Sequence, residues 1–197
     1  MFAALTGAGL SAAAGLNAYI PYLVVALLAR FTDVVDLPSG FTWVESNWSI
    51  AISAILLVGE IIVDKIPALD SVNDALGTVV RPASGAVVFA ATAAAANLDN
   101  SAWMTDHPWV GLIGGAIVAG IFHTGKAAAR PVANAGTAGF AAPVMSTAED
   151  ATSILLSLAA VFAPVLALVV LIAVAWMLWR LWRRVAAMRE RRSSYAA

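Results

Sequence analysis

From Thr152 to Trp182 the chain reads TSILLSLAAVFAPVLALVVLIAVAWMLWRLW, with no charged residue before Arg180. About 20 consecutive apolar residues cross the hydrocarbon layer of a bilayer, so this run predicts a membrane span. Immediately behind it stand Arg183, Arg184, Arg189, Arg191 and Arg192. Basic residues next to a span favour the cytoplasmic side, which predicts a cytoplasmic C-terminus. Arg180, Arg183 and Arg184 are placed to meet anionic lipid headgroups. The fold must therefore satisfy its backbone in lipid, which restricts spanning structure to helices or a closed barrel.

The rest of the composition agrees. Of 197 residues 61% are hydrophobic and 12% charged, with a mean hydropathy of +0.87. Soluble domains carry roughly 25% charged residues, so this is an integral membrane protein throughout. The net charge of −1 conceals an asymmetry, because six of the eleven basic residues lie between Arg180 and Arg192. Beside a span such a tail suits lipid and not nucleic acid. The absence of cysteine excludes disulfides, thiolate metal sites and thiol catalysis. No positive charge precedes Arg30, so the N-terminal apolar stretch reads as a retained span and not a cleaved signal. No P-loop, HExxH or GxSxG motif is present, and His107 and His123 lack the spacing of metal ligands. No cofactor or metal is expected, and an enzyme is the least favoured class.

Hydropathy predicts an all-α polytopic bundle of about five spans, in one transmembrane domain over 1–182 with a basic tail over 183–197. The spans are placed at about 8–28, 48–63, 78–96, 108–123 and 152–179. Pro21, Pro82 and Pro164 are the expected helix breaks, since proline removes a backbone donor. Tryptophans 43 and 48, 103 and 109, and 176, 179 and 182 should anchor at the headgroup level. Residues 66–77 (IPALDSVNDALG) and 127–143 (AAARPVANAGTAGFAAP) are neither plainly polar nor long enough to span. They are expected as re-entrant or interfacial segments or as ordered loops. A weak internal repeat has its two halves 61 residues apart: Lys65 with Lys126, Gly59 with Gly120, Asn73 with Asn134 and Pro82 with Pro143. Parallel repeats of this kind occur in transporters.

Charges at bilayer depth are costly and pair, line a cavity or reach the interface. Glu60 and Asp64 share a helix face at a spacing of i, i+4, and His123 and Lys126 do so at i, i+3, with Arg130 one turn on. One reading joins them in a ligand or proton pathway, in which a histidine beside carboxylates relays protons and basic groups hold an anion. The other lets Lys65, Arg81, Lys126 and Arg130 snorkel to the headgroups, and this is the expectation for the basic residues. Glu60, inside LLVGEIIV, is too short to snorkel from there. Asn17, one turn before Pro21 in GLNAYIP, either lines a midplane site at a broken helix or packs in a kink flanked by small residues.

From GLNAYIPYLVVALLARF through the Glu60 span to Arg81-Pro82-Ala83-Ser84-Gly85, the order of features resembles a family of small bacterial membrane proteins, domain of unknown function 4126. The resemblance covers about residues 7–175 and implies residence in a bacterial inner membrane, with no reaction attached. The expected function is a small carrier or lipid-linked transport protein with a polar pocket between two repeats. The alternative is an accessory subunit or assembly factor, whose smooth small-residue spans would pack against other membrane proteins or against itself.

Overall fold

A computed structural model of the chain describes residues 2–95, 102–137 and 141–169, together with 172, 173, 176, 180 and 183. Among them all regular structure is helical: α1 Phe2–Leu16, α2 Tyr19–Phe31, a 3-10 helix Ser39–Glu45, α3 Asn47–Val63, α4 Pro67–Ala93, α5 Ala102–Asp106, α6 Pro108–Thr137 and α7 Ala141–Phe162. Three stretches are long and apolar enough to cross a membrane: Val72–Ala93, Pro108–Ala129 and Ala142–Phe162. The 3-10 helix and α3, bent by 54°, make a fourth if taken as one span. The chain is a polytopic helical bundle.

The expected span over 8–28 is instead two helices of 15 and 13 residues. At 1.5 Å per residue each is about 20 Å long, short of the ~30 Å hydrocarbon layer. The break falls at Asn17, not at Pro21. The Asn17 side-chain oxygen accepts from the backbone N–H groups of Tyr19 (3.0 Å) and Ile20 (3.1 Å), which is how an asparagine caps a helix. Pro21 then sits in the first turn of α2, where no donor is needed.

Both connections expected to be irregular are helix. Pro67 occupies the first turn of α4, its preferred helical place, and the helix runs on without interruption through Pro82. Pro82 is therefore no break but an internal residue of α4. Residues 127–137 likewise continue α6, and residues 138–140 lie outside the described residues. The final long helix begins at Ala141, earlier than the hydropathy peak, so Glu149 and Asp150 lie within it. It stops at Phe162 and resumes with Pro164, whose ring suits a first helical turn. The repeat does not carry into local structure. Lys65 lies on the exposed turn after α3, whereas Lys126 is buried in mid-α6.

Helix α1 is the centre of the bundle. It packs on α4, α6 and α7, and its residues from Gly9 to Gly15 are all buried. A helix apolar on every side belongs inside. Small residues make this possible: a Cβ on Gly15 would lie 2.5 Å from the carbonyl oxygen of Ala119 and 2.6 Å from Cβ of Phe122. Between α4 and α6, a Cβ on Gly85 would lie 2.8 Å from the carbonyl oxygen of Gly115. Such close backbone contact is how helices associate where lipid removes the usual hydrophobic drive. Helix α2 adds Val25 and Ala26 to this core and packs on α7, α3 and the 3-10 helix, whereas α3 touches α4 only lightly. The outer face of α3 exposes Ile52, Ile55, Val58 and Ile62, as a lipid-facing helix should.

Candidate functional site

One polar layer crosses this apolar bundle, and it lies at the break between α1 and α2. Its first centre is Arg81, fully buried in the middle of α4. Gly77, one turn earlier, leaves room for it, since a Cβ there would lie 3.2 Å from the guanidinium carbon and 3.3 Å from the His123 ring. Arg81 donates through Nη2 to Glu60 of α3 at 2.9 Å, and through Nη1 to His123 Nδ1 of α6 at 2.9 Å. A third contact reaches Asp74 at 3.5 Å. Guanidinium has donors only, so His123 Nδ1 must accept and the ring hydrogen sits on Nε2. Nε2 lies 3.2 Å from the Thr78 hydroxyl, which lies 3.1 Å from the carbonyl oxygen of Asp74. Two atoms of the ion pair are buried without a hydrogen-bond partner, Glu60 Oε2 and Arg81 Nε.

The second centre is Lys126, one turn further along α6. Its ammonium donates to the carbonyl oxygen of Leu16 at 2.9 Å and to Glu149 of α7 at 2.8 Å, with Asp64 at 3.7 Å. Leu16 ends α1, so the lysine meets both a carbonyl without a helical partner and the negative end of the helix dipole. Asn17 donates to Asp150 of α7 at 2.9 Å. Asn73 donates to Asp64, and Ser84 of α4 donates to the carbonyl oxygen of Ala18 at 2.5 Å. Each backbone group freed by the broken helix that is named here meets a polar side chain from α4 or α6.

Five carboxylates (Glu60, Asp64, Asp74, Glu149, Asp150) thus surround two buried cations, Arg81 and Lys126, among the described residues. A cavity of about 230 Å3 opens beside them between α3 and α4, with Glu60, Gly77 and Arg81 in its lining. A second, of about 220 Å3, shares Ala18, Tyr19 and Val80 with it and continues towards Tyr22 and Ser53.

Of the residues singled out in the sequence, Glu60, Asp64, His123, Lys126 and Asn17 meet in this layer. The Arg130 side chain lies outside the described residues. Snorkelling is overturned for Arg81 and Lys126, whose side chains are 0% and 2% exposed, because their counter-charges lie inside the bundle. Lys65 lies on an exposed turn and donates to the carbonyl oxygen of Ile61. Sequence reasoning missed Asn73, Asp74 and Thr78, which it assigned to a connection or a span end. Their spacing before Arg81 was the available signal, since Asp74 and Thr78 precede it by about two turns and one turn of a helix. At the other end, Arg180 is exposed and stacks over Trp176 at 4.9 Å; Arg183 is exposed, and Arg184 lies outside the described residues.

A family model described as "Domain of unknown function (DUF4126)" matches residues 4–184. No curated protein and no solved structure matches the chain.

Proposed function

The chain belongs to this family, and from that premise we propose that it is a small membrane carrier whose transport site is the charged layer at the α1–α2 break. The observation that carries the proposal is the burial of Arg81, Lys126, Glu60 and Asp64 together at a broken helix beside a cavity. Ionisable residues held inside a membrane bundle mark pathways for ions, protons or solutes. Discontinuous helices supply the backbone groups of many transporter sites. The excess of carboxylates over cations favours a proton or a small cation as the coupling species. In this reading the protein resides in a bacterial inner membrane with its C-terminus on the cytoplasmic side, a side that the tail arginines support.

The absence of cysteine makes the test direct. Ala18, 1% exposed, lines both cavities. In a carrier, Ala18→Cys reacts with a membrane-impermeant maleimide in both right-side-out and inverted vesicles, as the site opens to each side in turn. Modification from one side only, or from neither, rejects alternating access. The lightly packed α3, with its exposed apolar face, supports the second reading of an accessory subunit. Stable co-purification of other membrane proteins in mild detergent would favour that reading.

A further inference from the structure

Helices α1 and α2 are each too short to cross a bilayer, and their partners show which way each one runs. A Cβ on Gly7 would lie 3.0 Å from the Phe89 ring, Ser11 donates to the carbonyl oxygen of Gly85 at 2.9 Å, and Ser84 donates to that of Ala18 at 2.5 Å. Helix α1 is therefore antiparallel to α4. Past Ala18 the chain turns back. Tyr19 lines a cavity with Leu56, Glu60 and Arg81, whereas Tyr22 lines the second with Ser53 and Val87. The Tyr22 hydroxyl lies 2.6 Å from that of Ser49, and Arg30 donates to the carbonyl oxygen of Glu45 at 3.1 Å. Partners in α3 and the 3-10 helix thus run from Glu60 back to Glu45 as α2 runs from Tyr19 to Arg30. Helix α3 is itself antiparallel to α4, since Glu60 pairs with Arg81 and Ser53 shares a cavity with Val87. So α2 runs parallel to α4 and antiparallel to α1. The turn between them, Asn17 and Ala18, is 1% exposed at both residues. Irregular backbone at membrane depth survives only where protein covers it, and here Ser84, Lys126 and Asp150 hold the polar groups at the turn.

We infer that α1 and α2 form a re-entrant hairpin, which enters and leaves the membrane on one face and ends inside the bundle at the charged layer. Phe2 and the segment 32–46 lie on that face. Helix α5 joins them, because the start of α6 meets the same end of α4: a Cβ on Gly111 would lie 2.8 Å from Ala90. The turn at Lys65, between α3 and α4, lies on the other face. The crossings among the described residues are then α3 with its 3-10 helix, α4, α6 and α7. This arrangement gives the charged layer a depth. Glu60, Asp74, Lys126 and Glu149 stand within about two turns of the ends of their apolar stretches that point towards the Lys65 face. The layer therefore lies in the half of the membrane away from the face that the hairpin enters, behind the tightly packed α1. The Lys65 face is its near side.

The hairpin does not depend on transport, since it serves a carrier and an accessory subunit alike. The chain has no cysteine, so single cysteines read its faces. Phe2→Cys, Thr42→Cys, Thr105→Cys and Lys65→Cys all replace exposed residues. Each variant of the full chain is treated with a membrane-impermeant maleimide in right-side-out and in inverted vesicles. Phe2→Cys, Thr42→Cys and Thr105→Cys are expected to label in one orientation, and Lys65→Cys in the other. A protease site fused ahead of Met1 reads the entry face of α1 a second way. Protease added outside the vesicles should cut it in the orientation that labels Thr42→Cys. If Phe2→Cys labels, or the fused site is cut, only in the opposite orientation from Thr42→Cys, α1 and α2 cross the membrane together and the hairpin is overturned. Labelling of Thr42→Cys and Lys65→Cys in the same orientation overturns the assignment of faces. One-sided modification of Ala18→Cys would reject the carrier and leave the hairpin standing, so the two readings fail separately.

Discussion

The Arg81–Glu60 pair can be weighed by a double-mutant cycle. Arg81→Leu removes contacts at 2.9 Å to Glu60 and 2.9 Å to His123, with a longer one of 3.5 Å to Asp74. Asp74, with a side chain 16% exposed, can turn towards solvent, but Glu60, at 7%, cannot. Breaking a buried pair by removing one partner costs roughly 3–5 kcal/mol, because a charge stays behind uncompensated. The single variant should therefore lose about 4 kcal/mol, or nearly a thousandfold in the folded-to-unfolded ratio. Glu60→Leu should lose about 2 kcal/mol, since Arg81 keeps Asp74 as a partner. The double variant leaves no charge stranded at this position, and replacing a buried pair by apolar residues is often close to neutral. It should lose only about 1–2 kcal/mol, chiefly for the His123 acceptor left without a donor. The two single losses should thus exceed the double loss by roughly 3 kcal/mol or more. Reversible unfolding in mixed micelles of mild detergent and dodecyl sulfate, followed by far-ultraviolet circular dichroism, reads all three. Additivity within about 0.5 kcal/mol, or a neutral Arg81→Leu, would refute the claim that this pair ties α3 to the bundle.

The same assay serves two further predictions. Gly15→Ala should cost about 2 kcal/mol or more, because its Cβ meets α6 backbone at 2.5 Å, while Gly59→Ala, which faces open space, should be neutral or slightly stabilising. Asn17→Ala should lose about 1–2 kcal/mol through the uncapped start of α2. Asn17→Asp should be worse despite keeping a cap acceptor, since it sets a carboxylate against Asp150 where the amide now donates at 2.9 Å; an Asn17→Asp as stable as the parent protein would contradict the contact.

Much of the layer was legible because intramembrane charge is rare, so Glu60, Asp64, His123 and Lys126 stood out and their spacings placed them on helix faces. Asn17 stood out for a similar reason, a polar residue one turn before a proline in an apolar run, but the break itself was assigned to Pro21 and falls at Asn17. The connections were misread because IPALDSVNDALG carries loop residues, and nothing local says that Pro67 begins a helix instead of ending one. That error hid Asp74 and Thr78, whose partners come from α4 and α6 and are therefore invisible to local patterning. The last long helix was set too late because hydropathy weights the purely apolar stretch. The energetics favour an earlier start, where Glu149 and Asp150 meet Lys126 and Asn17. The central place of α1 was not legible at all, since a glycine- and alanine-rich helix can pack closely on any side.

That central place has a consequence for biosynthesis. Helix α1 leaves the ribosome before α4, α6 and α7, yet they form the walls around it. Until α7 is inserted, the hydroxyl of Ser153 cannot reach the carbonyl oxygen of Ala13, nor Asp150 the amide of Asn17. Helix α1 must therefore wait in the membrane, with the Asn17 amide at its end unmatched, for the last of these walls to arrive. A nascent chain halted before α7 is thus a natural client for membrane chaperones and quality-control proteases.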